Sequence, residues 1–111
     1  MNTKIQFEKD GKKYILEYDR KSIASMEKLG FNVNEFGDKP MTMLPLAFKG
    51  LFIKNHKFVK DDFIDECFDN FKNKEKLIET IGIMLEETYK TLQTNADDDG
   101  NEMGNIDWET F

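Results

Sequence analysis

The spacing of apolar residues changes once along this chain, and that change limits the folds open to it. Residues 4–7 and 13–18 alternate apolar with polar side chains, as half-buried strands do. Asp10 and Gly11 lie between them and suit the positive φ angles of a tight hairpin turn. From Asp19 onward the apolar residues follow helical spacing. Because a two-stranded hairpin is barely stable alone, it must pack on those helices.

Polar and glycine residues mark where the first helix begins and ends. Asp19 is a natural N-cap, since its carboxylate can accept a backbone N–H of the first turn. Gly30 can adopt the left-handed conformation that ends a helix. We predict a loop or short turn over residues 31–39, anchored by Val33 and Phe36.

Three further helices are predicted after that loop. Thr42 caps the second helix, which places Pro45 in its first turn and continues to about residue 55. The third helix covers residues 61–71. The fourth covers residues 74–93, with Asn73 as its cap.

The predicted fold is therefore α+β, with an N-terminal β-hairpin packed on a small bundle of about four helices. Residues 1–94 are expected to form one folded domain, with Phe48, Phe52, Phe68 and Leu85 buried in its core. The apolar pattern stops after Gln93, and we predict that residues 95–111 form a flexible, disordered acidic tail.

The charge is unevenly divided between these two parts. The chain has 16 basic and 22 acidic residues, and residues 95–111 hold six of the acids and no Lys or Arg. The preceding 94 residues therefore carry 16 of each sign (22 minus 6 acids against 16 bases). A neutral body with an acidic tail offers no basic face for nucleic acid. An acidic end can also serve solubility alone.

Three features lead us to expect a cytosolic protein. The first residues lack the apolar stretch of a secretion signal. No apolar run approaches the roughly 20 residues needed to span a bilayer. The single cysteine cannot form an internal disulfide, so the fold needs no oxidising compartment.

The residues that could carry catalysis are few. His56 is the only histidine and Cys67 the only cysteine, and both fall where structural roles are natural. Residues 95–100 resemble the start of a calcium-binding EF-hand loop, but Ile106 stands where its final glutamate should be. We therefore predict no enzyme activity, no metal and no cofactor.

Apolar and aromatic residues suggest protein binding instead. Six residues just before and within the predicted second helix could line a partner groove: Met41, Met43, Leu44, Phe48, Leu51 and Phe52. Core packing is the alternative explanation for the same residues. Trp108 and Phe111 stand among acids near the end of the chain and could anchor a second partner.

Several segments together resemble one family, the tail assembly chaperones of long-tailed (siphovirus-type) phages and prophages. The resemblance covers most of the body and rests on YILEYDR (14–20), MEKLGF (26–31), DKP (38–40), LAFKGLF (46–52), HK (56–57) and NKEKL (73–77). An acidic tail with a tryptophan, here Trp108-Glu109, also resembles that family.

The resemblance implies a function, a place and two partners. Such chaperones work in the host cytoplasm, coat the long helical tape measure protein and help recruit tail tube subunits. They are not retained in the mature virion. We therefore expect this chain to bind the tape measure protein and the tail tube protein, with homo-oligomer formation left open. The competing interpretation is a small phage-encoded regulatory or inhibitory protein that binds a host protein.

Overall fold

The computed structural model describes residues 3–93 and 106–110. Strands β1 (Ile5–Lys9) and β2 (Lys12–Leu16) form an antiparallel hairpin. Within the described residues, five helices follow: α1 (Arg20–Lys28), α2 (Pro40–Gly50), α3 (Ile53–His56), α4 (Asp61–Asn70) and α5 (Lys74–Lys90). A 3₁₀ turn, Val33–Glu35, precedes α2. This arrangement confirms the predicted α+β class, with five helices in place of about four.

The last described residues, 106–110, have no regular secondary structure and are exposed. The rest of the predicted tail, residues 95–105 and Phe111, lies outside the described residues.

The hairpin turn forms as the sequence predicts. Asp10 and Gly11 have φ angles of 53° and 80°, and Lys9 pairs with Lys12 on either side of them. Two successive positive φ angles are the requirement of a two-residue turn that matches strand twist. Alternation then turns Tyr14 and Leu16 towards the helices, where both are buried.

Local contacts set both ends of α1. The Asp19 side chain accepts the Ser22 backbone N–H at 2.7 Å, and the Ser22 hydroxyl accepts the Asp19 N–H at 2.9 Å. At the other end Gly30 has a φ angle of 103°, and Phe31 donates its N–H to the Met26 carbonyl at 3.0 Å. The Asp19 cap and the glycine C-terminus confirm the sequence prediction, and the Ser22 hydroxyl adds the second bond of a capping box.

The start of α2 differs from the prediction. The helix begins at Pro40, which is preorganised for a first helical position, and Lys39 gives no side-chain cap. Thr42 is therefore inside the helix, not its cap. Pro45 lies in the helix interior on an exposed face, so its missing N–H removes a hydrogen bond on the solvent side.

The predicted second helix also ends early, because it divides into α2 and α3. The break follows Gly50, whose missing side chain lets α1 and α2 approach closely: an added Cβ would lie 2.1 Å from Met26 Sδ. Just beyond it, the Leu51 carbonyl accepts the backbone N–H of Glu17 at 3.3 Å. That bond ties the end of α2 to the hairpin side of the molecule.

Aromatic rings centre the core on α2. Phe48 is 1% exposed and meets Phe52, Phe68 and Phe71 edge-on, with ring centroids 5.2–5.4 Å apart. Phe52 and Leu85 are also buried, as predicted. Phe68 is only partly buried, which corrects its predicted place in the core. Its ring packs against the core from the edge, with the Lys74 ammonium 5.5 Å from its centroid.

Candidate functional site

Four residues predicted to line a partner groove lie inside the core. The exposed fraction is 4% for Met43, 1% for Phe48 and Phe52, and 0% for Leu51. Helix α2 packs between other helices, so these side chains fill the space among them. A partner could touch them only if the core opened. Their burial favours core packing, the alternative explanation given for them.

The remaining predicted contact residues differ in exposure. Met41 is 91% exposed on the first turn of α2, and Leu44 is half-buried against the core. Trp108 is 81% exposed. A role for these three in binding stays a prediction, and Phe111 lies outside the described residues.

An open apolar groove lies elsewhere, along one side of α5. Its first part is a cleft of about 210 Å³ between α1 and α5, with Ile23, Ala24, Tyr89 and Leu92 among its walls. Its second part is a cleft of about 360 Å³ between the 3₁₀ turn and α5. Val33, Phe36, Gly82, Leu85 and Tyr89 line that second cleft. Tyr89 borders both clefts, and we call the two together the α5 groove.

Helical geometry explains why α5 presents this groove beside its core face. Leu77, Ile81, Met84 and Leu85 face inward and are buried. Gly82, Glu86 and Tyr89 follow the next row round the helix, at the spacing of residues that share a helical face. Phe36 and Val33 anchor the 3₁₀ turn opposite that row, which confirms their predicted anchoring role.

Gly82 leaves the second cleft open at one end of the groove. A Cβ built at this position meets nothing within 4 Å, so no packing inside the described chain requires a glycine here. A glycine inside a helix costs about 1 kcal/mol relative to alanine. The residue therefore lowers the stability of α5 while leaving the groove floor free for a close neighbour.

Polar contacts hold the walls of the groove in place. The Tyr89 hydroxyl donates to Glu27 Oε2 at 2.9 Å and so bridges α5 to α1. Burial, together with the hydrogen bond to Glu27, raises the pKa of Tyr89 to about 12, so the hydroxyl stays protonated and can keep donating. Arg20 donates to the Thr91 hydroxyl at 2.9 Å and to the Thr91 carbonyl, which ties the start of α1 to the end of α5.

The two residues considered for catalysis have structural contacts. His56 Nε2 accepts the backbone N–H of Ile15 at 3.1 Å, so the ring proton must be on Nδ1. Cys67 is 3% exposed, and burial raises the pKa of its thiol, which lowers the fraction of reactive thiolate. These contacts leave the absence of enzyme activity as a prediction.

Residues 3–93 and 106–110 contain no group of His, Cys, Asp or Glu arranged to hold a metal ion. The segment that resembles the start of an EF-hand loop, residues 95–100, lies outside this part of the chain. Among the helices described, none is both long and apolar enough to cross a membrane.

Sequence reasoning missed the groove residues, although two signals were present. Gly82 interrupts an otherwise strong helical run without a turn or a cap nearby. Ile78, Leu85, Tyr89 and Leu92 also widen the apolar stripe of α5 beyond the width that one buried face needs. The partners of these residues, Ile23 and Phe36, come from distant parts of the chain, and the pattern along α5 could not identify them.

Comparison with known proteins assigns the chain to a family without naming an activity. No curated protein and no solved structure is similar enough to count as a match. One family model, described as a domain of unknown function (DUF5055), matches residues 1–110, nearly the whole chain. The chain therefore belongs to the DUF5055 family.

Proposed function

We propose that this protein is an assembly chaperone for phage tails, which binds the tape measure protein in the α5 groove and helps recruit tail tube subunits. The observation that carries the proposal is the groove itself: two joined apolar clefts that no other segment of residues 3–93 and 106–110 covers. The identity of the partner rests on the resemblance to tail assembly chaperones. The proposal places the protein in the host cytoplasm during assembly and outside the mature virion.

The shape of the groove favours a helix as its occupant. The clefts meet at Tyr89, one on the α1 side and the other on the side of the 3₁₀ turn. A partner helix that crosses α5 there could place apolar residues one or two turns apart into them. The bare backbone at Gly82 would allow such a helix to approach α5 closely, as small residues do where helices cross. A tape measure protein, which is long and largely helical, offers many such segments.

The charges around the groove suit an amphipathic helix of either sign. Arg20 and Lys90 stand at its rim with Glu27 and Glu86, two cations with two anions. The body of the chain carries 16 charges of each sign, so it does not repel a charged partner over distance. Several copies bound in a row would add avidity to weak single contacts.

Co-expression with the tape measure protein tests the proposal. We expect the chaperone to keep that protein soluble and to purify with it at more than one copy per tape measure chain. If the tape measure protein still precipitates and the two elute separately, the proposed function is wrong. Binding to a host protein instead would support the regulatory or inhibitory alternative.

A pair of neighbouring substitutions tests the location of the site. Gly82→Gln would fill the groove from its floor, and we expect it to lower the recovery of tape measure protein at least tenfold. Ile83→Gln is the matched control, because Ile83 is 46% exposed and does not line either cleft. Equal recovery of the tape measure protein with both variants would show that it does not bind in the α5 groove. A chaperone function would then have to use another surface.

A further inference from the structure

The backbone groups on the two outer edges of the hairpin differ in whether they are hydrogen-bonded. On β2, the Ile15 N–H donates to His56 Nε2 and the Ile15 carbonyl accepts from Asn55 Nδ2, each at 3.1 Å. The next outward N–H, of Glu17, donates to the Leu51 carbonyl at 3.3 Å. Helix α3 and the turn before it therefore close this edge with side chains and backbone, and no further strand can pair there.

The edge of β1 is open. Gln6 lies opposite Ile15 in the register, and because the backbone groups of Ile15 point away from β1, those of Gln6 point away from β2. Glu8, opposite Lys13, repeats this arrangement two residues further on. Within residues 3–93 and 106–110, no group bonds to the outward amides and carbonyls of Gln6 and Glu8. Such an edge is a template for an added strand.

Apolar clefts lie beside this open edge, between β1 and the corner where α4 meets α5. One cleft, of about 390 Å³, has Phe7, Cys67 and Phe71 in its walls. Its rim carries Lys72, Glu8 and Lys9, and the Lys9 ammonium is 3.6 Å from Glu66 Oε1. The other, of about 270 Å³, has Ile5, Phe71 and Leu77 in its walls, with Lys72 and Lys76 at its rim. Ile5 and Phe7 are two residues apart, so the clefts match alternate side chains of an added strand.

The chain itself contains a segment with the matching pattern. A strand formed by residues 106–110 would place Ile106, Trp108 and Thr110 on one face and Asp107 and Glu109 on the other. Ile106 and Trp108 are 80% and 81% exposed, so this chain leaves them unpacked. The two acids would lie on the face turned away from the clefts, so the apolar side chains carry the match.

We propose that the open edge of β1 accepts residues 106–110 of a second copy of this chain as an added strand. Ile106 and Trp108 enter the two clefts, and the backbone pairs with Gln6 and Glu8. Each copy offers one edge and one segment, so the contact is head-to-tail and can continue from copy to copy. A five-residue strand buries little surface, so the association is weak and depends on concentration. The contact is independent of the α5 groove.

Sedimentation of the full chain, over about 1 µM to 1 mM, tests the proposal. The weight-average mass of the unmodified protein should rise with concentration beyond that of two chains, from 13.1 kDa for one. The double variant Lys72→Glu/Lys76→Glu should keep the mass of one chain. Gln6→Pro is a second edge variant, since it removes an N–H that the hairpin does not use. Lys21→Glu/Lys28→Glu, which reverses two exposed charges on α1, should associate like the unmodified protein.

A mixing experiment identifies the two halves of the contact. Ile106→Ala/Trp108→Ala removes the segment but keeps the edge, so this variant alone should stay at the mass of one chain. Mixed with Lys72→Glu/Lys76→Glu, which keeps the segment but loses the edge, it should form pairs and nothing larger. The proposal would be overturned if the unmodified protein kept the mass of one chain at every concentration, or if the variants associated like the unmodified protein. It would also be overturned if the protein had the mass of one chain and Trp108 were shielded from acrylamide, because the segment would then dock on its own chain.

Discussion

Replacing either of two helix glycines, Gly50 and Gly82, with alanine should change the stability of the protein in opposite directions. At Gly82 an added Cβ meets nothing within 4 Å, so Gly82→Ala should gain the helix preference of alanine, about 0.8–1 kcal/mol. At Gly50 the same carbon would lie 2.1 Å from Met26 Sδ and 2.5 Å from Met26 Cγ. Met26 is 1% exposed and has little room to move, so overpacking should cost about 1–3 kcal/mol.

Urea unfolding followed by circular dichroism at the helix band measures both changes in the free energy of unfolding. We expect the free energies of unfolding of the two variants to differ by about 2–4 kcal/mol. The slopes should be unchanged, with the midpoints shifted to opposite sides of the unmodified protein. A neutral or stabilising Gly50→Ala would contradict the close approach of α1 and α2. A destabilising Gly82→Ala would mean that another part of the chain fills the α5 groove.

Met26→Ala tests whether a clash with Met26 causes the loss of stability expected for Gly50→Ala. Alone it should cost about 2–5 kcal/mol, as large-to-small changes in a core do. Combined with Gly50→Ala it should cost less than the sum of the two, because the side chain that clashes is gone. Additive costs would show that the clash is not with Met26.

Three further predictions concern a buried carboxylate, the thiol and the aromatic core. Burial alone would raise the pKa of Glu17, but hydrogen bonds from Asn55 and Lys54 and the charge of Lys54 lower it below 4.5, so the ionised carboxylate stabilises the fold above pH 4.5 and this stabilisation is lost as the pH falls through the lowered pKa. The loss of stability caused by Glu17→Gln, measured by urea unfolding, should therefore be largest near neutral pH and shrink below pH 4.5. A loss that stays constant with pH would refute this. Because burial raises the pKa of Cys67, the thiol should react with a disulfide reagent at least tenfold more slowly in the folded protein than in urea, and equal rates would place it at the surface. Phe48→Ala should cost about 3–5 kcal/mol and Phe68→Ala clearly less, since Phe68 is only partly buried; equal costs in urea unfolding would contradict the observed packing.

Elements whose ends depend on near neighbours could be predicted from the order of residues alone. The hairpin turn needs only the positive φ angles of Asp10 and Gly11. The start of α1 needs Asp19 and Ser22, three residues apart, and its end needs Gly30. Such contacts form within one turn of the chain, so the residue types that make them can be read in order.

The point where the second predicted helix divides depends on contacts between distant elements. Gly50 is required by Met26 on another helix, and the Leu51 carbonyl is taken by Glu17 beside the hairpin. Neither partner lies near the break in sequence. A helical pattern that is locally continuous gives no sign of contacts made by distant residues.

The candidate site shows the same division. The sequence marked apolar residues on α2 and near the end of the chain, but it could not say which faces other elements would cover. The fold buries Phe48 and Phe52, and it leaves open the groove beside Tyr89 and the edge of β1. Periodicity reports which residues share a face, whereas the packing of distant elements decides whether that face becomes core or remains available to a partner.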